Sequence, residues 1–303
     1  MLSQSKQAVV VTGVSSGIGA AIASHLMNQG YTVFGSVRKP IDANTLQQSH
    51  PVAFHPMIFD VRDRESIAKA VASVQATLVS SEKRLVAVVN NAGIALFGPM
   101  ECLDDQGFED TVAVNLFGTR NVTNAFLPLL RMNQQTGRDR SSQKTKGVIV
   151  NISSLSGILN TPMNGAYCVA KHAVESIGEI YRRELYGTGI DLCSIRSGPI
   201  QSDIWVKNIE EQNQYEIANY NLMSANAQSI MRAATKKALP ASVVATLVQD
   251  VIERRKCKLA YEIGDGSRIA KFLSALVPTR LADRLISRAL LKTQTRKSPS
   301  ATN

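Results

Sequence analysis

Three kinds of side chain that together can move a proton fall close to one another near the middle of the chain. In VNISSLSGILNTPMNGAYCVAKHAVESI an apolar run ends in Ser153 and Ser154, and Tyr167 and Lys171 follow, four residues apart. That spacing puts Tyr167 and Lys171 on one face of a helix. A phenol holds its proton with a reference pKa near ~10, too tightly for ready exchange at neutral pH. An adjacent ammonium favours the phenolate, and Ser154 could hydrogen-bond a substrate oxygen beside the Tyr167 hydroxyl. Each residue alone has an ordinary explanation, because serines end strands and Tyr and Lys sit on helix surfaces. Their convergence on one cleft would make them general acid–base machinery.

A second candidate lies at the start of the chain. Thr12, Gly13, Val14, Ser15, Ser16, Gly17, Ile18 and Gly19 follow the apolar run AVVVT. Glycines there permit a tight turn, close backbone approach to a pyrophosphate and close helix–strand contact. The helix N-terminus adds unpaired N–H groups and a positive dipole. A purely structural turn would also use glycine, but the place of this one, between a buried strand and a helix, favours a dinucleotide. The next apolar run ends in SVRKP. No carboxylate follows Val37 to accept a ribose 2′-hydroxyl. Arg38 can instead hold a 2′-phosphate, so NADP(H) is expected over NAD(H).

The elements that must position these groups are legible as alternation. Apolar runs at 8–12, 31–37, 52–59, 85–90, 147–153, 190–196 and 258–263 read as strands buried on both faces. Helical patterns fill 18–29, 64–80, 104–131, 165–186 and 242–255. Seven strands separated by helices imply an α/β fold, a doubly wound and mostly parallel sheet with helices on both faces, whose ligands bind beyond the strand C-termini. Residues 133–147 are polar and basic and read as an exposed loop. The division expected is a catalytic nucleotide-binding domain over 1–266, with a helix-prone substrate lid at 203–240, and a basic extension over 267–303 whose end is disordered.

Composition narrows the class. The chain has 303 residues and 44% hydrophobic content, ample for one large core. It has no apolar run long enough to span a membrane and no secretory leader pattern at its start. Cys102, Cys168, Cys193 and Cys257 lack metal-ligand or disulfide spacing and the four histidines are dispersed, so no metal site and a reducing, cytoplasmic setting are expected. The net charge of +10 is concentrated in the tail. Arg268, Lys271, Arg280, Arg284, Arg288, Lys292, Arg296 and Lys297 face Asp283 alone between 267 and 297. The basic balance is therefore a property of the tail, and no nucleic-acid partner is expected.

Together these motifs resemble the short-chain dehydrogenases/reductases over 8–263. The family's glycine motif matches 12–19, its adenine-contacting acidic dipeptide Asp60-Val61, its Asn-Asn-Ala-Gly Asn90 with Asn91, Ala92 and Gly93, and its proton-relay asparagine Asn115 in VAVNLFG. The serine thirteen residues before the tyrosine is Ser154, and Tyr167 with Lys171 match Tyr-x-x-x-Lys. The resemblance implies a Rossmann sheet of seven strands and assigns roles. Tyr167 is general acid/base. Lys171 lowers its pKa and binds the nicotinamide ribose. Ser154 positions the carbonyl, and Asn115 helps hold a water that links Lys171 to solvent. In SGPIQSD the family's Pro-Gly becomes Ser197-Gly198 before Pro199, with Ile200 left to meet the carboxamide and Ser202 to reach a phosphate. Ser197 puts the rigidity of this loop in question.

The lid supplies Trp205, Ile209, Tyr215, Tyr220, Leu222, Met223, Ile230 and Met231. They suit an apolar pocket or simply pack the lid down. The SVRKP turn and long extension look like the hydroxysteroid and retinol dehydrogenase branch, implying a lipophilic carbonyl or alcohol. A 3-oxoacyl thioester reductase is the enzyme alternative, and a non-catalytic NADP(H) sensor or scaffold the alternative of another class. A homodimer or homotetramer is expected. In the tail, Ile269, Phe272, Leu273 and Leu276 keep helical spacing up to Pro278, and Leu281, Leu285, Ile286, Ala289 and Leu290 resume it. Such a basic amphipathic helix either packs on the protein, the reading favoured, or makes peripheral contact with a membrane surface.

Overall fold

The computed structural model describes residues 4–132, 147–202, 204, 214–254, 257–264 and 276–292. Strands and helices alternate as follows: β1 (Gln7–Val11), α1 (Gly17–Asn28), β2 (Thr32–Val37), the short α2 (Asn44–Ser49), β3 (Phe54–Ile58), α3 (Arg64–Ser80), β4 (Arg84–Asn90), α4 (Asp105–Val112), α5 (Gly118–Met132), β5 (Gly147–Ser154), α6 (Gly165–Glu184), β6 (Ile190–Ser197), α7 (Ala218–Lys236), α8 (Ala241–Glu253), β7 (Ala260–Ile263) and α9 (Thr279–Leu291). The seven strands form one sheet in the order β3-β2-β1-β4-β5-β6-β7, and every neighbouring pair is parallel. The expected doubly wound α/β architecture is therefore present, and wholly parallel.

All six residues of β2 are buried, as a strand covered on both faces requires. Alternate residues of β1 feed opposite cores. Val9 and Val11 join Ile22 and Leu26 of α1 and Val244 and Val248 of α8. Ala8 and Val10 join Ile67 and Val74 of α3 and Val122 and Phe126 of α5. The chain leaves β1 toward β3 and returns at β4, so the order reverses between β1 and β4. That reversal opens a crevice at the strand C-termini.

The helix expected over 104–131 is interrupted. A π-helical turn, Ala113–Phe117, separates α4 from α5. It carries Asn115, whose amide donates to the Thr111 and Ile94 carbonyls (2.9 and 2.8 Å) and accepts from the Ile94 N–H (3.1 Å). Ties across to the β4 exit fix the turn, and apolar periodicity does not report them. The second half of the lid is α7. With α9 it forms a small satellite core of Phe97, Met163, Ala227 and Leu290, flanked by Tyr215, Met223, Met231 and Ile286. Of the tail residues, Ile269, Phe272 and Leu273 lie outside the described residues, as do Trp205, Ile209 and the polar loop at 133–146. No helix among the described residues is long and apolar enough to cross a membrane.

Candidate active site

The glycine loop is fastened to the β4 exit. Thr12 Oγ1 accepts from the backbone N–H groups of Asn91 (2.9 Å) and Ala92 (3.0 Å), while Asn91 Nδ2 donates to the carbonyls of Thr12 and Gly13. Gly13 donates to Ser36 Oγ at 3.0 Å. Ser16 caps α1 in extended backbone with no side chain closing the first turn, so the N–H groups of that turn remain for a ligand. Gly17 has φ +57°, and a Cβ there would meet Ser202 Cβ at 3.2 Å. Loop and Ser202 thus face each other across the narrow space where a pyrophosphate would lie. Gly19 serves packing instead, since its Cβ would sit 2.1 Å from the Gly13 carbonyl oxygen.

A cavity of about 520 Å³ runs from Ser15, Ser16, Gly17 and Ile18 past Arg38, Asp60 and Val61 to Ser154, Tyr167 and Lys171. Gly13, Asn91, Ala92, Gly93, Gly198, Ile200 and Ser202 also line it. Gly19, Pro199 and Asn115 stand just behind this lining. Gly19 is pressed against Gly13, and Pro199 spends its carbonyl on the Leu239 N–H. Asn115 turns its side chain to Ile94 and Thr111, and it leaves no room for a Cβ on Gly93 (2.5 Å). It is a positioning residue for the Gly93–Ile94 wall.

At the end of β2, Arg38 is exposed and lines the cavity beside Asp60. Asp60 is held by Arg62 through Nε (3.1 Å) and Nη2 (2.9 Å), and Arg62 reaches on to Asp110 at 2.8 Å. The Arg62 hydrogen bonds, with a smaller contribution from Arg38, keep the Asp60 carboxyl below its ordinary range. Sequence reading missed Ser36 and Arg62. The β1–β2 register, Val11 opposite Gly35, brings Ser36 to Gly13, and no short motif links those positions.

Ser154 ends β5 directly opposite Ser197 of β6, which pairs on its other side with Ile263 of β7. Ser197 is buried and donates to the Ser153 carbonyl (3.4 Å). The residue expected to loosen the loop therefore lies inside the sheet. Ser154 Oγ accepts from the Ser156 N–H (3.1 Å) and shares a hydrogen bond with the Tyr167 hydroxyl. Lys171 Nζ donates to the Ile152 carbonyl (2.8 Å) and lies 5.5 Å from the centre of the Tyr167 ring. Serine, tyrosine and lysine have converged as their spacing implied.

Their electrostatics differ from the expectation. Burial pushes Tyr167 up to about 12, against a smaller lowering by the Ser154 hydrogen bond. Burial also brings Lys171 down to about 8, opposed by the charge of Glu175 one turn on. Removal from water outweighs the Ser154 hydrogen bond, so Tyr167 holds its proton at neutral pH. Behind this site, Arg196 joins Glu175 (2.8 Å) and Glu262 (3.4 Å) in a largely buried cluster.

Among the described residues of the lid, Ile204, which was not anticipated, lines this cavity and the others do not. Tyr215, Met223 and Met231 pack in the satellite core, and Ile230 is exposed. Tyr220 bonds Glu101, and Leu222 is half-buried.

The short chain dehydrogenase family profile matches residues 7–213. The chain belongs to this family of oxidoreductases. It is 34% identical to an NADPH-dependent 3-dehydrocapnine reductase of Ornithobacterium rhinotracheale, over 93% of this chain and 97% of the relative. It is 31% identical to mouse estradiol 17-beta-dehydrogenase 2, over 95% of this chain and 76% of the relative. In fold it resembles a short-chain dehydrogenase from Streptomyces avermitilis (TM-score 0.74, 24% identity, covering 93% of this chain and 95% of that one). Short-chain dehydrogenases act on CH–OH groups with a nicotinamide cofactor, which supplies or accepts the hydride when bound. The family is plain; the branch within it is not resolved by relatives of such different names.

The site fits that cofactor. The open first turn of α1 and Ser202 would hold its diphosphate, Asp60 and Val61 its adenine, and Lys171 and Ile200 its nicotinamide end. The glycines let the loops that frame this site pack closely on one another.

Proposed function

We propose that this protein is an NADP(H)-dependent reductase of a lipophilic carbonyl compound, working as a dehydrogenase in reverse. The observation that carries the cofactor choice is the β2 exit, where Arg38 borders the cavity and the nearby Asp60 is already committed to Arg62. A guanidinium left for the ligand, with no acid left to repel it, suits a 2′-phosphate. The NADPH dependence in the name of the 34%-identical relative supports the same choice. The reductive direction is supported by the name of that same relative. Tyr167, pushed up to about 12 by burial, carries its proton at neutral pH. It can give its proton to a carbonyl oxygen as that oxygen gains negative charge, while the Ser154 hydroxyl holds the oxygen in place. Lys171 stands behind the ring as the next proton donor.

A lipophilic substrate is supported by Ile94, Ala95, Val114 and Ile204 in the cavity wall, and by the estradiol in one relative's name. The test is NADPH and NADH consumption with a panel of apolar ketones and aldehydes. Turnover with NADPH well above NADH is expected. Replacing Arg38 by Ala should weaken NADPH ~10–100-fold, the loss of a charge-assisted bond, while leaving NADH nearly unchanged. Tight NADPH binding without turnover of any carbonyl would replace the enzyme by a sensor, and an unaltered cofactor preference in Arg38→Ala would move the phosphate site elsewhere.

A further inference from the structure

Helix α9 has two usable faces. Toward the protein, Ile286 and Leu290, one turn apart, enter the satellite core with Ala227, Met223 and Met231 of α7. Asn226 Nδ2 donates to the Leu290 and Lys292 carbonyls at 2.7 and 3.1 Å, closing the helix end that would otherwise lack partners. Packing thus accounts for one stripe of the helix. It does not account for Leu281 and Leu285, also one turn apart, which are 47% and 54% exposed on the other side. At 100° per residue, Arg284 and Arg288 fall on the same outward side as these leucines, with Arg280 at its border. All three arginines are exposed, and Asp283 is the single acid in the helix.

We infer that the outward face of α9 docks on an anionic lipid surface, with Leu281 and Leu285 inserted among the headgroups and Arg280, Arg284 and Arg288 on the lipid phosphates. Charge decides among the occupants. A second copy placed on this face about a two-fold axis would set arginines against arginines. A neutral apolar partner would bury guanidinium groups without counter-charges. A lipid headgroup layer offers apolar depth and negative charge within one helix radius, which is what an interfacial amphipathic helix uses. Further Lys and Arg at 292, 296 and 297 add to the same charge, which an anionic leaflet attracts. Two leucines give a shallow hold, so attachment should be reversible. The satellite core also ties α9 to Phe97 and Met163, in the segments that flank the cavity wall at Ala95 and the start of α6. Docking through α9 would therefore set the catalytic cavity close to the lipid.

The experiment is flotation of the full chain with vesicles of phosphatidylcholine alone, or of phosphatidylcholine and phosphatidylglycerol in equal parts. At low ionic strength, where charges act over ~30 Å, the protein should float with the anionic vesicles only. Raised salt should release it. The Leu281→Ser/Leu285→Ser double variant should lose most of the bound fraction, with unchanged melting temperature and unchanged reduction of a water-soluble carbonyl, because neither side chain supports the core or the cavity. No flotation of the wild type at low salt would overturn the inference. So would full flotation of the double variant, or a dimer mass in solution that the double variant abolishes.

Discussion

The floor of the cavity and the helical roof of the domain, which lines none of that cavity, are built in different ways. The floor lies at the β1/β4 reversal and is over-determined. Thr12, Asn91 and Asn115 spend their polar atoms on backbone groups of the loops that line it, and β1 and β4 beneath are buried in the main cores. The roof, α7 with α9, rests on a small cluster in which Ala227 and Leu290 meet Phe97 and Met163, and on one asparagine at a helix end. A wall of backbone hydrogen bonds has one arrangement. A wall of a few adaptable methionines and leucines has several of similar energy. Cofactor recognition, which needs fixed geometry, sits on the first.

The sharpest separation comes from the chemistry itself. Tyr167→Phe keeps the ring and removes the proton, and general acid–base help is typically worth ~10²–10⁴-fold in rate. kcat should fall by that much with NADPH affinity preserved. Near-normal turnover would detach Tyr167 from the reaction. The floor should break next. In Gly19→Ala the new methyl meets the Gly13 carbonyl oxygen at 2.1 Å, and relief requires moving backbone. A loss of ~3 kcal/mol or more in stability, with NADPH binding lost together with it, is expected in denaturant titrations. A soluble variant with normal NADPH affinity would show that the loop is softer than its hydrogen bonds imply.

Lys171 gives a pH test of the same rigidity. Its folded value of about 8 lies below its ordinary 10.5. Below pH 8 the folded protein carries a buried ammonium and its full penalty. Between the two values the folded chain has released a proton that the unfolded chain still holds, so stability rises with pH, by up to ~3 kcal/mol. Above pH 10 Tyr167 acts the other way. The unfolded chain loses the phenolic proton near 10, while the folded one keeps it to about 12, and stability falls. Lys171→Met should therefore flatten the rise between pH 8 and 10 in melting temperature, and a variant with the wild-type slope would show that the lysine is hydrated. The smallest effect belongs to the roof. Leu290→Ala should cost about 2 kcal/mol in stability, while NADPH affinity stays put. An equal loss of cofactor binding would erase the distinction between the two walls.

The sequence carried the floor better than the roof, for a physical reason. Buried parallel strands must be continuous apolar runs, and close backbone contact at Gly13 and Gly19 admits nothing larger than glycine, so both leave marks in composition. The roof leaves none. Tyr215, Met223 and Met231 look the same whether they face a ligand or Leu290, and only the packing tells them apart. The position of Tyr167 was legible from its spacing, but its acidity was not. Depth of burial set its sign, and burial is a property of the assembled sheet. Arg62 and Ser36 were invisible because strand register, rather than a local motif, delivers them.

The π turn at Ala113–Phe117 makes chain length itself a functional variable. A widened turn of this kind holds one residue more than a regular helical turn, and each residue of an α-helix advances the side chains by about 100°. Deleting Phe117 alone would let α4 and α5 fuse into one unbroken helix without removing any side chain from the cavity. It would also rotate one helix against the other by more than a quarter of a circle. Asn115 would swing away from Ile94, and Gly118 would lose its seat against Val61. An enzyme with every named catalytic group intact would then have its nucleotide wall out of phase with its strands.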